Sequence, residues 1–405
     1  MAVKTLADLT KTDLAGKVVL MRVDFNVPLK NGTVTDDTRI TAALPSIQKV
    51  LADGAKLVLM SHLGRPDGQA KPEYSLKPAA DRLAELLKKP VTLGPADVAG
   101  AEAKQMVAAL QGGEVLVLEN VRFDKREDSK DEAAVKAFGE ELAALGEVYV
   151  NDAFGTCHRK HASMWAVPRV ILAKGGRAVA GYLVEKEIKY LHDAVAEPAR
   201  PFVAILGGAK VSDKIKLISS LLGKCDNILI GGAMAYTLLK ARGVKVGKSL
   251  VEEDQVEAMK DLLAKAGGKI VLPADHLGAT EFTSDDAQAV DEENIPDDLM
   301  GMDVGPKTRN AFGDIIAAAK TIVWNGPMGV FERPAYAAGT KAIAEAVAQA
   351  TDGGAISVIG GGDSVAAVEQ MGLSERMTHV STGGGASLTY LEGKPMPPIE
   401  VLEQK

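Results

Sequence analysis

Short, nearly uninterrupted apolar runs recur along this chain, most of them followed by a stretch of helical spacing, and that alternation leaves few architectures open. The runs fall at 18–23, 57–60, 115–118 and 148–150, then at 203–206, 228–230, 270–272, 321–324, 356–359 and 379–381. Runs that do not alternate with polar residues suit strands covered on both faces. Strands alternating with helices are the mark of parallel α/β sheets. The helical spacing is visible at Ile40, Leu44, Ile47 and Leu51, and again at Val135, Phe138, Leu142 and Leu145. A chain of 405 residues also exceeds the size at which one hydrophobic core stops growing, about 250–300 residues. Two α/β domains are therefore expected.

In open parallel sheets, ligands sit beyond the carboxyl ends of the strands, so the residues just after each run carry the chemistry. The two halves differ there. In the first half those residues include Asp24 and Asn26, His62 and Arg65, Arg122, and then a basic run with His158, Arg159 and His161. In the second half they are Gly207-Gly208, Gly231-Gly232, Asn325-Gly326-Pro327, Gly360-Gly361-Gly362-Asp363 and Thr382-Gly383-Gly384-Gly385. Guanidinium groups grip small, highly charged anions bidentately, and glycine turns bring backbone amides against phosphates. A small-anion site in the first half and a nucleotide site in the second follow.

Residues 204–214, A-I-L-G-G-A-K-V-S-D-K, are the clearest phosphate turn, read as strand, glycine turn and lysine-bearing helix. The Walker pattern G-x-x-x-x-G-K-[ST] occurs nowhere. The boundary between the halves is placed after 1–172, with a linker helix and hinge over 173–196, a second domain over 197–388 and a tail over 389–405. Residues 393–405, with Pro395, Pro397 and Pro398, read as extended chain without a local core.

Composition narrows the function classes. Hydrophobic residues make up 46% and charged residues 25%, as in ordinary globular chains. A net charge of -7 argues against nucleic-acid or membrane partners recruited by bulk charge. No apolar run approaches the roughly 20 residues that span a bilayer, and 1–10 lacks a signal core, so a cytoplasmic location is expected. Cys157 and Cys225 are too few for a disulfide framework.

Each candidate has a bland reading beside the functional one. Any one of Arg22, Arg39, Arg65, Arg122 and Arg159 is as compatible with a solvated surface as with an anion; together they favour the anion. Arg39 opens a helix, where the macrodipole disfavours a cation unless an anion is near. Arg22 lies within its strand and is read as structural or as a support behind the anion ligands. Cys157, His158 and His161 do not make a zinc site, because they lack a closing ligand and Arg159 and Lys160 would repel the ion. Asp363 suits a Mg²⁺ ligand and equally a helix N-cap. Glu332 suits a ribose contact or a plain surface position. Asp275 and Asp303 read as solvated loop acids.

Eight stretches taken in order resemble one family. They are R-V-D-F-N-V-P at 22–28, S-H-L-G-R-P at 61–66, E-N-V-R-F at 119–123, N-D-A-F-G at 151–155, G-G-A-K-V at 207–211, N-G-P-M-G-V-F-E at 325–332, G-G-G-D-S at 360–364 and S-T-G-G-G-A-S at 381–387. Each is weak alone; in series across nearly the whole chain they are similar to phosphoglycerate kinases. The resemblance implies two Rossmann-like, doubly wound domains around a cleft. It implies reversible phosphoryl transfer from 1,3-bisphosphoglycerate to MgADP, giving 3-phosphoglycerate and MgATP, by a monomer that bends at a hinge. It carries over Asp24, Asn26, Arg39, His62, Arg65, Arg122 and Arg159 to the glycerate. Lys210, Lys214, Gly301, Asn325, Glu332, Gly361, Gly362, Asp363 and Ser364 go to the nucleotide, Asp363 also to magnesium. Arg39, Lys210, Gly383 and Gly384 take the moving phosphoryl group, and the tail returns to the first domain.

The nucleophile in the ATP-consuming direction is then a carboxylate, already ionised at neutral pH, and needs no general base. Two rivals stand beside this reading. A dehydrogenase would need G-x-G-x-x-G after a strand with an acid about 20 residues on, which is lacking. A non-catalytic scaffold of the same fold would have lost Arg39, Lys210 or Asp363, all present here.

Overall fold

The computed structural model describes residues 3–405. The chain divides into two compact units. One comprises residues up to Ile188 together with Pro395–Lys405, and the other is Lys189–Lys394.

The first unit is built on β1 (Val18–Val23), β4 (Lys56–Met60), β5 (Thr92–Leu93), β6 (Val115–Val117), β7 (Val148–Asp152) and β8 (Arg177–Ala180), with a small hairpin of β2 (Leu29–Lys30) and β3 (Thr33–Val34) beside them. The six main strands form one parallel sheet in the order β5-β6-β4-β1-β7-β8. Helices such as Thr38–Ala52 and Glu132–Ala143 cross between strands, and their apolar faces cover the sheet through Ile40, Ile47, Val135 and Phe138. The chain leaves β1 first toward one side of the sheet and later toward the other, so β1 and β7 flank the switch point, where a ligand crevice opens in such folds.

The second unit is also built on a six-stranded parallel sheet, of β9 (Phe202–Leu206), β10 (Asn227–Ile230), β11 (Ile270–Val271), β15 (Thr321–Asn325), β16 (Ile356–Ile359) and β17 (His379–Val380), but in a different strand order, β11-β10-β9-β15-β16-β17. Its switch point lies between β9 and β15. A second, antiparallel sheet of β12 (His276–Ala279), β13 (Gln288–Val290) and β14 (Met300–Val304) is attached. Sequence spacing does not reveal this sheet, because its strands carry His276, Gly278, Gln288 and Gly301 in place of an apolar run.

Three local expectations are corrected. The linker helix expected within 173–196 starts at Tyr182, because Arg177–Ala180 pairs with β7 as the edge strand. The helix after β9 starts at Ile215, so Lys210 and Ser212 lie in the turn before it, and Ser212 is held by Glu252. Residues 393–405 are not simply extended: Pro397–Glu400 is a short helix, and Met396, Ile399 and Leu402 are buried in the first unit. Glu403 there accepts from Arg177 Nε at 2.8 Å and Lys4 Nζ at 3.0 Å.

Candidate active site

At the carboxyl ends of the first unit's strands the expected anion ligands are drawn together by short bonds. Arg39 Nη1 lies 3.3 Å from Asp24 Oδ2 and donates to the Asn26 carbonyl at 3.0 Å. Asn26 Oδ1 accepts from Gly64 N at 2.9 Å, and the Gly64 carbonyl accepts from Arg122 Nη1 at 2.8 Å. His62 Nδ1 stands 3.9 Å from Asp24 Oδ1. Arg65 and Arg159 are exposed, and Arg159 Nε donates to His158 Nε2 at 3.0 Å.

Two residues that sequence reasoning left aside belong to this cluster. Arg22 is fully buried beneath it, bonded to Ser163 Oγ at 2.9 Å, to the Val23 carbonyl and to His62 Nδ1 at 3.2 Å. His161 is buried as well, and burial with the nearby Arg122, Arg22 and Arg159 pushes it down to about 3. His62 is held well below the usual imidazole range, by burial first and then by Arg22 and Arg122. The imidazoles are therefore neutral at pH 7, and the positive charge resides on guanidinium groups. The signal for His161 was its place in the basic run, and that for Arg22 its place in a strand just before Asp24 and Asn26, where a support behind the ligands was one of two readings.

The second unit holds a cavity of about 490 Å³ at the ends of its strands, lined in part by Gly208, Gly232, Gly301, Pro327, Glu332 and Asp363. Gly301 lies on Tyr236, whose hydroxyl would stand 2.0 Å from any Cβ placed there, so only glycine leaves this wall flat. Lys248, Leu250 and Phe282 also line the cavity. Leu250 and Phe282 are 55% and 58% exposed, unusual for large apolar side chains, and they offer an apolar rim to a flat ring. They escaped sequence analysis because they sit in loops without periodicity.

Around that cavity the glycine turns interlock. A Cβ on Gly207 would stand 1.9 Å from the Pro327 carbonyl oxygen, and one on Gly326, at φ +106°, would stand 2.2 Å from the Gly207 carbonyl oxygen. Asn325 Oδ1 accepts from Lys214 Nζ, whose basicity is lowered by burial. Ser364 is buried and its Oγ accepts from Gly326 N. Gly361, at φ +88°, precedes the helix Gly362–Gln370, so Asp363 is exposed in that helix's first turn. Lys210 is exposed. Gly383 N donates to Ser381 Oγ at 3.1 Å, so the amide expected to be a free donor is engaged in this conformation, and Gly384, at φ +48°, leads into the helix Gly385–Leu391.

Gly207→Ala is expected to raise the Kd for ADP by about tenfold or more and to lower the thermal midpoint, since no flexible side chain can yield to the new methyl. Gly223→Ala, with nothing within 4 Å of its Cβ, serves as the control. Calorimetric titration with ADP checks both; equal affinities would contradict the tight-turn account.

Asp275 and Asp303, read from sequence as solvated acids, are fully buried. Asp275 accepts from Lys307 N and Thr308 N, both at 2.8 Å, and so caps the helix Pro306–Ala318. Asp303 accepts from Gly339 N at 2.6 Å in the first turn of Ala338–Asp352, and burial raises its pKa to about 7. Asp303 Oδ1 would also stand 2.3 Å from a Cβ on Gly329, which lines the cavity, so this carboxyl backs that wall.

A phosphoglycerate kinase family profile matches residues 9–394. The chain is 56% identical over 403 residues to a phosphoglycerate kinase of Chloroherpeton thalassium, covering 98% of each. It is 54% identical over 401 residues to that of Lactobacillus gasseri, covering 97% of this chain and 98% of the relative. Among solved structures, phosphoglycerate kinase from Coxiella burnetii superimposes with a TM-score of 0.86 at 39% identity, and that from Pyrococcus horikoshii OT3 with 0.85 at 32%, each covering 98% of both chains. The dehydrogenase and scaffold alternatives find no support in these likenesses: the chain belongs to the phosphoglycerate kinase family.

Proposed function

We propose that this chain transfers a phosphoryl group reversibly between 1,3-bisphosphoglycerate and MgADP, giving 3-phosphoglycerate and MgATP, in glycolysis and gluconeogenesis. The observation that carries the reading is the division of labour: arginines gather at the strand ends of one unit, and an apolar-rimmed, glycine-walled cavity lies at those of the other. Asp24 and Asn26 orient the glycerate, and Arg39, His62, Arg65, Arg122 and Arg159 receive its phosphate and carboxyl groups. Gly301 and Glu332 border the nucleoside, while Lys214, Asn325, Gly361, Gly362 and Ser364 shape the phosphate turn.

Phosphoryl transfer leaves the protein mainly positioning and charge neutralisation. Arg39 and Lys210 supply mobile cations, and the Gly383 and Gly384 amides supply fixed dipoles once Gly383 leaves Ser381. Mg²⁺ suits the exposed Asp363 carboxylate on the cavity wall, since this ion is commonly held by one or two carboxylates plus nucleotide phosphates; when bound it neutralises phosphate charge. Because an acyl phosphate is reactive toward water, we assign a closing motion of the two units that brings the substrates together and excludes solvent. A cytoplasmic monomer is in keeping with the family and with the lack, among the described residues, of any helix long and apolar enough to cross a membrane.

The test is a coupled assay of ATP-dependent 3-phosphoglycerate phosphorylation, with and without Mg²⁺. Mg²⁺-dependent turnover is expected; inactivity with both substrates present overturns the reading.

A proton linkage follows from the buried imidazoles. An anion beside His161 raises its pKa from about 3 toward the ordinary value, so binding takes up protons between those limits. The ligand's own phosphate, with a second pKa near ~6, releases protons in the same range. The expected result is therefore a difference: at pH 6, titrations in buffers of unlike ionisation enthalpy show less proton uptake for His161→Gln than for wild type. Equal uptake would remove His161 from the anion's surroundings.

A further inference from the structure

The chain passes between the two units twice, at Ile188 to Lys189 and at Lys394 to Pro395. Within the first unit, the segments leading into both passages are fastened to the same two residues, Asn151 and Asp152, which end β7 and are fully buried. Asp152 Oδ1 accepts from Leu183 N at 2.9 Å and Val184 N at 3.4 Å, in the first turn of the helix Tyr182–Val195 that contains the first passage. The Asn151 carbonyl accepts from Gly181 N at 2.8 Å. Asn151 Nδ2 donates to the Pro398 carbonyl at 3.3 Å, just after the second passage. Asn151 Oδ1 accepts from Ala153 N at 3.2 Å, which starts the loop leading to Arg159 and His161.

The fit is tight. A Cβ on Gly181 would stand 2.1 Å from Asp152 Oδ1, and Tyr182 N is taken by Ser46 Oγ at 2.8 Å, so the helix start has little freedom to slide on its anchor. Asp152 Oδ2 is buried without a hydrogen-bond partner, and burial pushes the carboxyl up to about 7, against the pull of Ser46, Val184 and Leu183. Keeping such a carboxyl buried is costly, where a simple helix cap could sit at the surface.

We propose that Asn151 and Asp152 are positioning residues for closure: they join the loop that bears Arg159 and His161 to both inter-unit segments, so that an anion held by the loop biases the two passages together. This rests on the phosphoryl-transfer reading above, because only a reaction between ligands on separate units needs such a junction. The pair touches neither substrate; it acts through the loop, the helix start and the Pro398 segment.

The experiment compares full-length Asp152→Ala, Asp152→Asn and Asn151→Ala with wild type. It measures the Kd of 3-phosphoglycerate alone and of ADP alone, kcat, and the change in radius of gyration by X-ray scattering when 3-phosphoglycerate and MgATP are both added. For Asp152→Ala the expected result is each Kd within about threefold of wild type, kcat lower by about tenfold or more, and loss of the substrate-induced compaction. Asp152→Asn keeps an oxygen acceptor for Leu183 N and is expected to recover most of the turnover and compaction. Wild-type kcat and compaction in Asp152→Ala overturn the proposal, as does a kcat loss matched by an equal loss of 3-phosphoglycerate affinity. If Asp152→Ala does not fold, Asn151→Ala decides by the same criteria. Inactive wild type would instead sink the functional reading, so the two failures are distinguishable.

Discussion

Arg39→Ala is expected to lower kcat by about a thousandfold, with a much smaller change in the Kd for 3-phosphoglycerate. The side chain leaves the first turn of the helix Thr38–Ala52, where the macrodipole repels a cation, and it is held there by the Asp24 carboxylate and the Asn26 carbonyl. Its side chain is still 36% exposed, so the guanidinium is not committed to the fold and its removal leaves no buried hole. On the proposed reading the ground-state phosphate retains Arg65, Arg122 and Arg159, whereas the phosphoryl group in transit needs a cation at one position and one moment. Lys210→Ala is expected to behave alike from the nucleotide side, as the lysine is exposed in the turn between β9 and Ile215–Leu222. Steady-state kinetics with separate binding titrations check both. A loss confined to KM would make either residue a ground-state ligand only.

Removal of residues 396–405 is expected to abolish turnover and to destabilise the first unit by on the order of 5 kcal/mol or more, while ADP affinity stays within about threefold. The segment buries Met396, Ile399 and Leu402, and losing large aliphatic contacts of that kind costs about 2–5 kcal/mol each. Its Glu403 also joins Arg177 and Lys4. The nucleotide cavity lies wholly in Lys189–Lys394 and loses none of its own packing. The two tryptophans make the experiment selective: Trp165 reports on the first unit and Trp324 on the second, so single-tryptophan versions follow each unfolding transition separately. Wild-type turnover in the truncated chain, or equal destabilisation of both units, would contradict the expectation.

The parallel sheets were legible in sequence because buried parallel strands such as β1 and β9 must be apolar on both faces, and their ends inherit the ligands. Legibility fails where tertiary context decides. Arg22 could be structural or a support for the ligands, and only its buried partners Ser163 and His62 decide between the two. Asp275 and Asp303 look like loop acids because the amides they cap lie more than thirty residues away. Leu250 and Phe282 are ordinary loop residues in one dimension, and only the cavity gives them a purpose. The antiparallel sheet hides because glycine and polar residues break its alternation.

The first unit is discontinuous in the chain, and biosynthesis must contend with that. Pro395–Lys405 follows the whole of Lys189–Lys394 in the chain, so the first unit cannot close its core until the second has been made. The earlier half therefore waits through that synthesis with apolar surface uncovered where Met396, Ile399 and Leu402 will sit. Chaperone contact in the cell is expected to concentrate on that waiting surface.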